Sequence, residues 1–359
     1  MKTQRTITMT MISKTGLLFY STLKLVLIAL FSLSLNYAGN VLAAEEVVCN
    51  GDDLLELLAD VDPDRLALLR KQADGEIYGS SRLWKISKAG VPDSWVFGTM
   101  HMADDRISVL PQSAREAFAH SKTVLVEVTD MLDPVAAKSN ILKLKHLTFR
   151  LDGSTIESDL SEDQLAQLKL AVEARSLPYE LVIGMQPWML APAIGNPLCE
   201  VAAKKLGKPI LDAKIMKMAL ERGKNLVALE TTEEQLIAIS SMPWKFQIQA
   251  LIETLEMGAK LDDIRETMKH LYVKGDISMI IPAIRYFTNN SQADDALTEF
   301  QDKLVVQRNI KMARRANDHF QKGSVFMAIG AMHLPGKTGL VALLEKKGFH
   351  AQAVETPLY

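Results

Sequence analysis

Two apolar runs in this chain end in the same way, with a glycine followed three residues later by a histidine. They are Val96-Phe97-Gly98-Thr99-Met100-His101 and Ala328-Ile329-Gly330-Ala331-Met332-His333. Glycine lets a strand turn away through an unusual dihedral or pass close to a neighbour, so each histidine is presented at the carboxyl end of a strand. In open α/β sheets that edge is where ligands bind. Seven histidines and 19 glycines in 359 residues would produce fewer than one such pairing by chance. The other five histidines (His120, His146, His270, His319 and His350) do not end predicted strands.

The rest of the chain supplies the helices and strands that such a sheet needs. Apolar spacing over Asp52 to Arg70 predicts two short helices broken at Asp62-Pro63. Leu83 to Lys88 and Ser94 to Phe97 flank the turn residues Ala89 to Asp93 and read as a hairpin. Thr123 to Val128 is almost wholly apolar, the pattern of a buried parallel strand. Pro111 opens a helix ahead of it. From about 133 to 320 the pattern is mainly helical, with capping boxes expected at Ser161 and Thr232 and one strand at Asn225 to Glu230. Asp294 to Lys322 reads as one long helix. Ser324 to Ile329 and Phe349 to Val354 are strands on either side of a helix near Thr338 to Lys347. The four tryptophans read as core. With no low-complexity linker, the economical reading is one α/β domain, a central mixed β-sheet with strand-GxxH corners surrounded by many helices.

Net charge is −2, so there is no basic excess of the kind nucleic-acid binding requires. The charge is unevenly placed. Residues 1–43 hold Lys2, Arg5, Lys14 and Lys24 and no acid, then an apolar run, Leu25 to Leu35, and a small-residue exit at Val41 to Ala44. This is the layout of a secretory signal peptide cleaved near Ala43, leaving a domain over 44–359 that is periplasmic or secreted and meets the membrane only through its leader. The alternative is an uncleaved anchor over residues 16–35. In an oxidising compartment Cys49 and Cys199 are expected to pair; the other reading is two unrelated buried thiols.

Glu127 lies inside the apolar run Val124 to Val128, where a carboxylate is costly unless it meets a cation, a metal or a proton donor. Alternation places it with Leu125 and Thr129, and if the strand simply ends there it is solvated. Two imidazoles and a carboxylate suit zinc, manganese or cobalt with open positions for water. As structural strand-end histidines, His101 and His333 would only make hydrogen bonds. Glu230 either joins the site or caps the next helix. Arg308, with Asn309 beside it, either faces a developing anion or belongs to a solvated basic face with Lys311, Arg314 and Arg315. No HExxH, GxSxG or phosphate-loop motif is present.

Leu83-Trp84-Lys85-Ile86, the two GxxH corners, Asp105-Arg106, the Glu127 run, Leu229-Glu230-Thr231 with Gln235, and Arg308-Asn309 together resemble the TraB/GumN family. That family is related to the Tiki metalloproteases and more distantly to erythromycin esterase-like and ChaN-like proteins. Pro197-Leu198-Cys199-Glu200 and Leu211-Asp212-Ala213-Lys214-Ile215 resemble its bacterial GumN-like branch. Ala228 and Met216 depart from the pattern, standing where a glycine and a small residue are usual. The resemblance covers about residues 80–356 and implies a metal-dependent hydrolase fold. His101, Glu127 and His333 would hold the metal, Glu127 would bind the ion or accept a proton, and Arg308 would steady an oxyanion. The implied substrate is a peptide or a small ester or amide. The rival is a non-catalytic extracytoplasmic protein that binds a metal, haem or a peptide.

Overall fold

The computed structural model describes residues 49–288 and 293–357. The expected signal segment, residues 1–43, lies outside the described residues. Within them, six strands form one mixed sheet in the order β4-β3-β5-β2-β1-β6. β1 (Leu83–Lys88) and β2 (Val91–Thr99) form the antiparallel hairpin, and β6 (His350–Val354) pairs antiparallel with β1. β2, β5 (Val325–Gly330), β3 (Thr123–Val126) and β4 (Asn225–Ala228) run parallel, so their carboxyl ends share one edge.

The parallel strands are apolar on both faces because both faces are covered. Val124, Val126, Phe326 and Ala328 pack with Phe118, Leu211 and Ile215 on one side. Leu125, Met327 and Ile329 pack with Met312, Ala316 and Phe320 on the other. Phe118 and Phe326 meet edge to face, with ring centroids 5.5 Å apart. A helical region follows β3, with its own core built from Ile156, Leu168, Leu190, Leu251 and their neighbours. Among the described residues no helix is long and apolar enough to cross a membrane.

Several local expectations shift. The hairpin turn is shorter than the run of turn residues suggests, because Gly90 takes a positive φ of 75° and β2 already begins at Val91. The capping box before helix Thr232–Ser240 is built on Thr231 and Glu234. It sits one residue early, which leaves the Gln235 side chain for other partners. The long helix is interrupted: Ala293–Gln301 runs into a π-helical turn, Asp302–Val306, and then into helix Gln307–Lys322. Trp84 and Trp188 are buried and Trp95 is half-buried. Trp244 is 40% exposed, with the Arg150 guanidinium 4.9 Å from its ring.

Cys49 and Cys199 form a disulfide with Cα atoms 5.3 Å apart, within the ordinary range. It joins the start of the described chain to helix Leu198–Lys205.

Candidate metal centre at the paired histidine corners

β2 and β5 are neighbours in register, Gly98 opposite Ile329 and Thr99 opposite Gly330, so the two corners leave the sheet side by side. Gly98 is small for a steric reason. A Cβ there would lie 2.7 Å from Leu334 Cδ1 and 2.9 Å from Ala331 Cα, so the first corner is packed directly onto the second. Gly98→Ala is therefore expected to overpack this contact. The cost is about 1–3 kcal/mol, measured as a lowered urea midpoint; a midpoint within error of wild type would show that the corners are not in close contact.

β3 ends at Val126, so Glu127 stands just beyond the strand rather than within its alternation. Its side chain is nonetheless only 12% exposed, because it turns into the neighbouring corner. Oε1 accepts the Gly330 N–H at 2.7 Å. Oε2 accepts from Arg308 Nη2 at 2.6 Å and from Gln235 Nε2 at 3.0 Å. Arg308 also donates through Nε and Nη2 to Glu230, whose side chain is fully buried. Its Nη1 takes the Leu304 carbonyl within the π-turn, 3.1 Å away. That turn packs against helix Thr232–Ser240 and against the Ala331–His333 turn, bringing Gln235, Arg308 and the second corner together.

The two histidines are held through Nδ1 by different groups. His333, 6% exposed, faces Asn309 Oδ1 at 2.6 Å. Asn309 Nδ2 donates to the Thr338 carbonyl at 2.9 Å, which fixes the amide and makes His333 Nδ1 the donor. Nε2 is left with its lone pair, 3.9 Å from Glu127 Oε1. His101, half exposed, turns Nδ1 to Asp212 Oδ2 at 3.1 Å, while Asp212 Oδ1 accepts the Thr99 hydroxyl at 2.7 Å. An outer partner on Nδ1 that leaves Nε2 open is the arrangement of a metal-ligating histidine. The open side of Gly330 is the common point. The position its Cβ would take lies 3.2 Å from Glu127 Oε1, 3.5 Å from His333 Cδ2 and 3.7 Å from His101 Nε2.

The charges follow from these contacts. Burial holds His333 down to about 4, against the pull of Glu127. Enclosure opposes a charge on His101, but the Asp212 hydrogen bond and the charges of Asp212 and Glu127 outweigh it and raise the ring to about 9. Burial also opposes ionised Glu127, yet the cationic groups around it and the Gly330 amide bring it from 4.5 to about 2.

The donor chemistry fits a divalent ion, although the ligand atoms of His101, Glu127 and His333 do not all lie within 4.8 Å of one another. Among the described residues the trio that does is Asp53, Glu56 and His270. There both imidazole nitrogens are engaged, Nδ1 with Asp53 at 2.8 Å and Nε2 with Glu266 at 3.1 Å. Asp53 also caps helix Leu54–Val61. At the GxxH pair each Nδ1 has an outer partner and His333 Nε2 faces Glu127, and a cation bound there would displace the second proton that His101 otherwise carries.

The structure thus brings His101, Glu127, His333 and Arg308 to one edge, and Glu230 with them. Lys311 and Arg315 instead meet Glu234 on the outer face of their helix. Asp212 and Asn309 as Nδ1 partners were not legible as such; a polar residue within an apolar helix pattern, as at Leu211-Asp212 and Asn309-Ile310, is the signal that marks them.

Fold and site together define a single α/β domain that gathers two histidines, a carboxylate and an arginine at the carboxyl edge of a mixed sheet. The chain belongs to the TraB/PrgY/gumN family, whose model matches residues 82–353. It is 27% identical to metalloprotease TIKI2 of Danio rerio, over 76% of this chain and 61% of that protein. It is 26% identical to metalloprotease TIKI1 of Xenopus tropicalis, over 75% and 61%. It is 25% identical to human metalloprotease TIKI1, over 76% and 62%. The chain therefore spans about three fifths of the length of these relatives. No solved structure matches it.

Proposed function

We propose that the chain is an exported metal-dependent hydrolase of amide or ester bonds, in which His101, His333 and Glu127 would hold a divalent ion. The observation that carries this is the pair of Nδ1-anchored imidazoles whose free nitrogens flank the Glu127 carboxylate over Gly330. The family membership and the relatives named as metalloproteases support it. A bound zinc, manganese or cobalt ion would polarise a carbonyl and lower the pKa of a water.

The residues of the chain have separable tasks. Asn309 and Asp212 fix the two ring orientations. Arg308 and Gln235 occupy Oε2 of Glu127, so Oε1 is the oxygen turned toward the histidines. Three nitrogens of Arg308 are already bonded, which suits it to keeping Glu127 ionised and aligned rather than to touching an oxyanion.

Purified protein loaded with cobalt should bind about one ion, and His101→Ala and His333→Ala should each lose it together with any turnover of a peptide library. Unchanged metal content in both variants would sink the reading. Metal binding with no turnover would favour the non-catalytic alternative.

Export is part of the proposal, supported by the leader-like residues 1–43 and the disulfide. Mass spectrometry of the mature protein is expected to find its first residue at Ala44 or Glu45, and an intact terminus retained in membranes would defeat this.

A further inference from the structure

We propose that Glu200 is a positioning residue for His101, acting through the backbone amide of Ala103, and that the Cys49–Cys199 disulfide steadies the helix that carries it. The functional consequence rests on the reading of His101 as a ligand; the contact itself does not.

Glu200 is a buried carboxylate, 4% exposed, that no step above uses. It lies in the first turn of helix Leu198–Lys205, next to Cys199, and its Oε2 accepts the Ala103 N–H at 3.0 Å. Ala103 follows the short turn that displays His101, closed by the Met102 N–H donating to the Met100 carbonyl at 3.0 Å. The near side of that turn is held by the sheet, by the Tyr272 hydroxyl on the Gly98 carbonyl at 2.9 Å, and by Asp212 on Thr99. On its far side the first amide is held by Glu200 from 97 residues away. Asp104 comes next, held by Lys269 Nζ at 3.0 Å. A half-exposed histidine on a turn keeps one direction only if both ends of the turn are fixed, and Glu200 fixes the second end.

The disulfide reaches the same spot. Cys49, Met102, Glu200 and Lys269 wall one cavity of about 10 Å³, at the lower limit of what a single water needs. Arg265 lines it too and gives the carboxylate cationic surroundings. The cross-link and the turn that carries His101 thus line the same cavity. At the second corner His333 sits within a 3₁₀ turn, and the bracket is Asn309, which holds Nδ1 and donates to the Thr338 carbonyl.

What Ala103 requires is an acceptor, and a glutamine carbonyl supplies one where alanine does not. In the full chain, Glu200→Ala is expected to speed amide exchange at Ala103 by about tenfold or more while residues 328–334 exchange as in wild type. Glu200→Gln should stay within about twofold of wild type at both places. Cobalt titration should follow, with affinity about tenfold weaker in the alanine variant and restored in the glutamine variant, the size of effect expected when a ligand loses its outer support. Unchanged exchange at Ala103 in Glu200→Ala would overturn the proposal. So would equal acceleration at both corners, or a glutamine variant that behaves like alanine. If wild type binds no cobalt, the metal reading fails alone and the exchange measurement still decides the role of Glu200.

Discussion

Replacing Cys49 and Cys199 by serine is expected to lower the free energy of unfolding by about 5 kcal/mol, the chain-entropy value for a closed loop of this size. The cross-link spans 150 residues, so the unfolded chain gains the freedom of nearly half its length when it is opened. The native state has less to lose, because Asp52 N–H still donates to Asp263 and Leu54 N–H to Thr267 Oγ1 after the bond is gone. Urea unfolding of the oxidised protein and the double-serine variant measures the difference. A loss below about 1 kcal/mol would show that the unfolded state is already compact around this pair.

Arg308→Met should be of similar weight. It removes the one guanidinium that contacts both Glu127 and Glu230 and leaves two buried carboxylates facing each other, a change that costs about 3–5 kcal/mol. Lysine does not repair it, since a single ammonium lacks the fork that serves both acids. The pH dependence gives a second reading. In wild type, Glu127 is depressed from 4.5 to about 2, so its contribution is complete above its unfolded value and is lost as pH falls toward 2. Without Arg308 that depression shrinks or reverses, so the stability gap between variant and wild type should narrow as pH drops from 6 to about 4. A gap that stays constant over that range would mean that the arginine acts by packing alone. Adding Glu230→Gln should recover part of the loss, a coupling a double-mutant cycle would measure.

Much of this arrangement is legible in the sequence, and the reason is local. The apolar runs that become β3 and β5 are long enough to declare themselves, and a glycine at a strand end announces a change of direction within four residues. Glu127 is conspicuous because a carboxylate inside the apolar run Val124 to Val128 breaks a pattern. What stayed hidden depends on distance along the chain. Asp212 meets Thr99 across 113 residues and Gln235 meets Glu127 across 108, and no local pattern encodes such meetings. The cap at Thr231 is ambiguous for a different reason: Thr231 with Glu234 and Thr232 with Gln235 both satisfy the capping pattern. In the observed register Gln235 reaches the Glu127 carboxylate and Glu234 meets Arg315.

The π-helical turn at Asp302–Val306 carries a consequence for how this chain should be lined up with its relatives. Such a turn is an ordinary helix with one residue too many. Deleting a single residue within it would restore the common pitch and leave Arg308 and Asn309 on nearly the same side of the axis, because the wide turn absorbs the extra residue. Relatives can therefore keep the Arg-Asn pair at the site with or without the odd residue. Where a relative is one residue shorter across 302–306, the gap belongs within this turn, and the helix beyond it still presents the same face to the site.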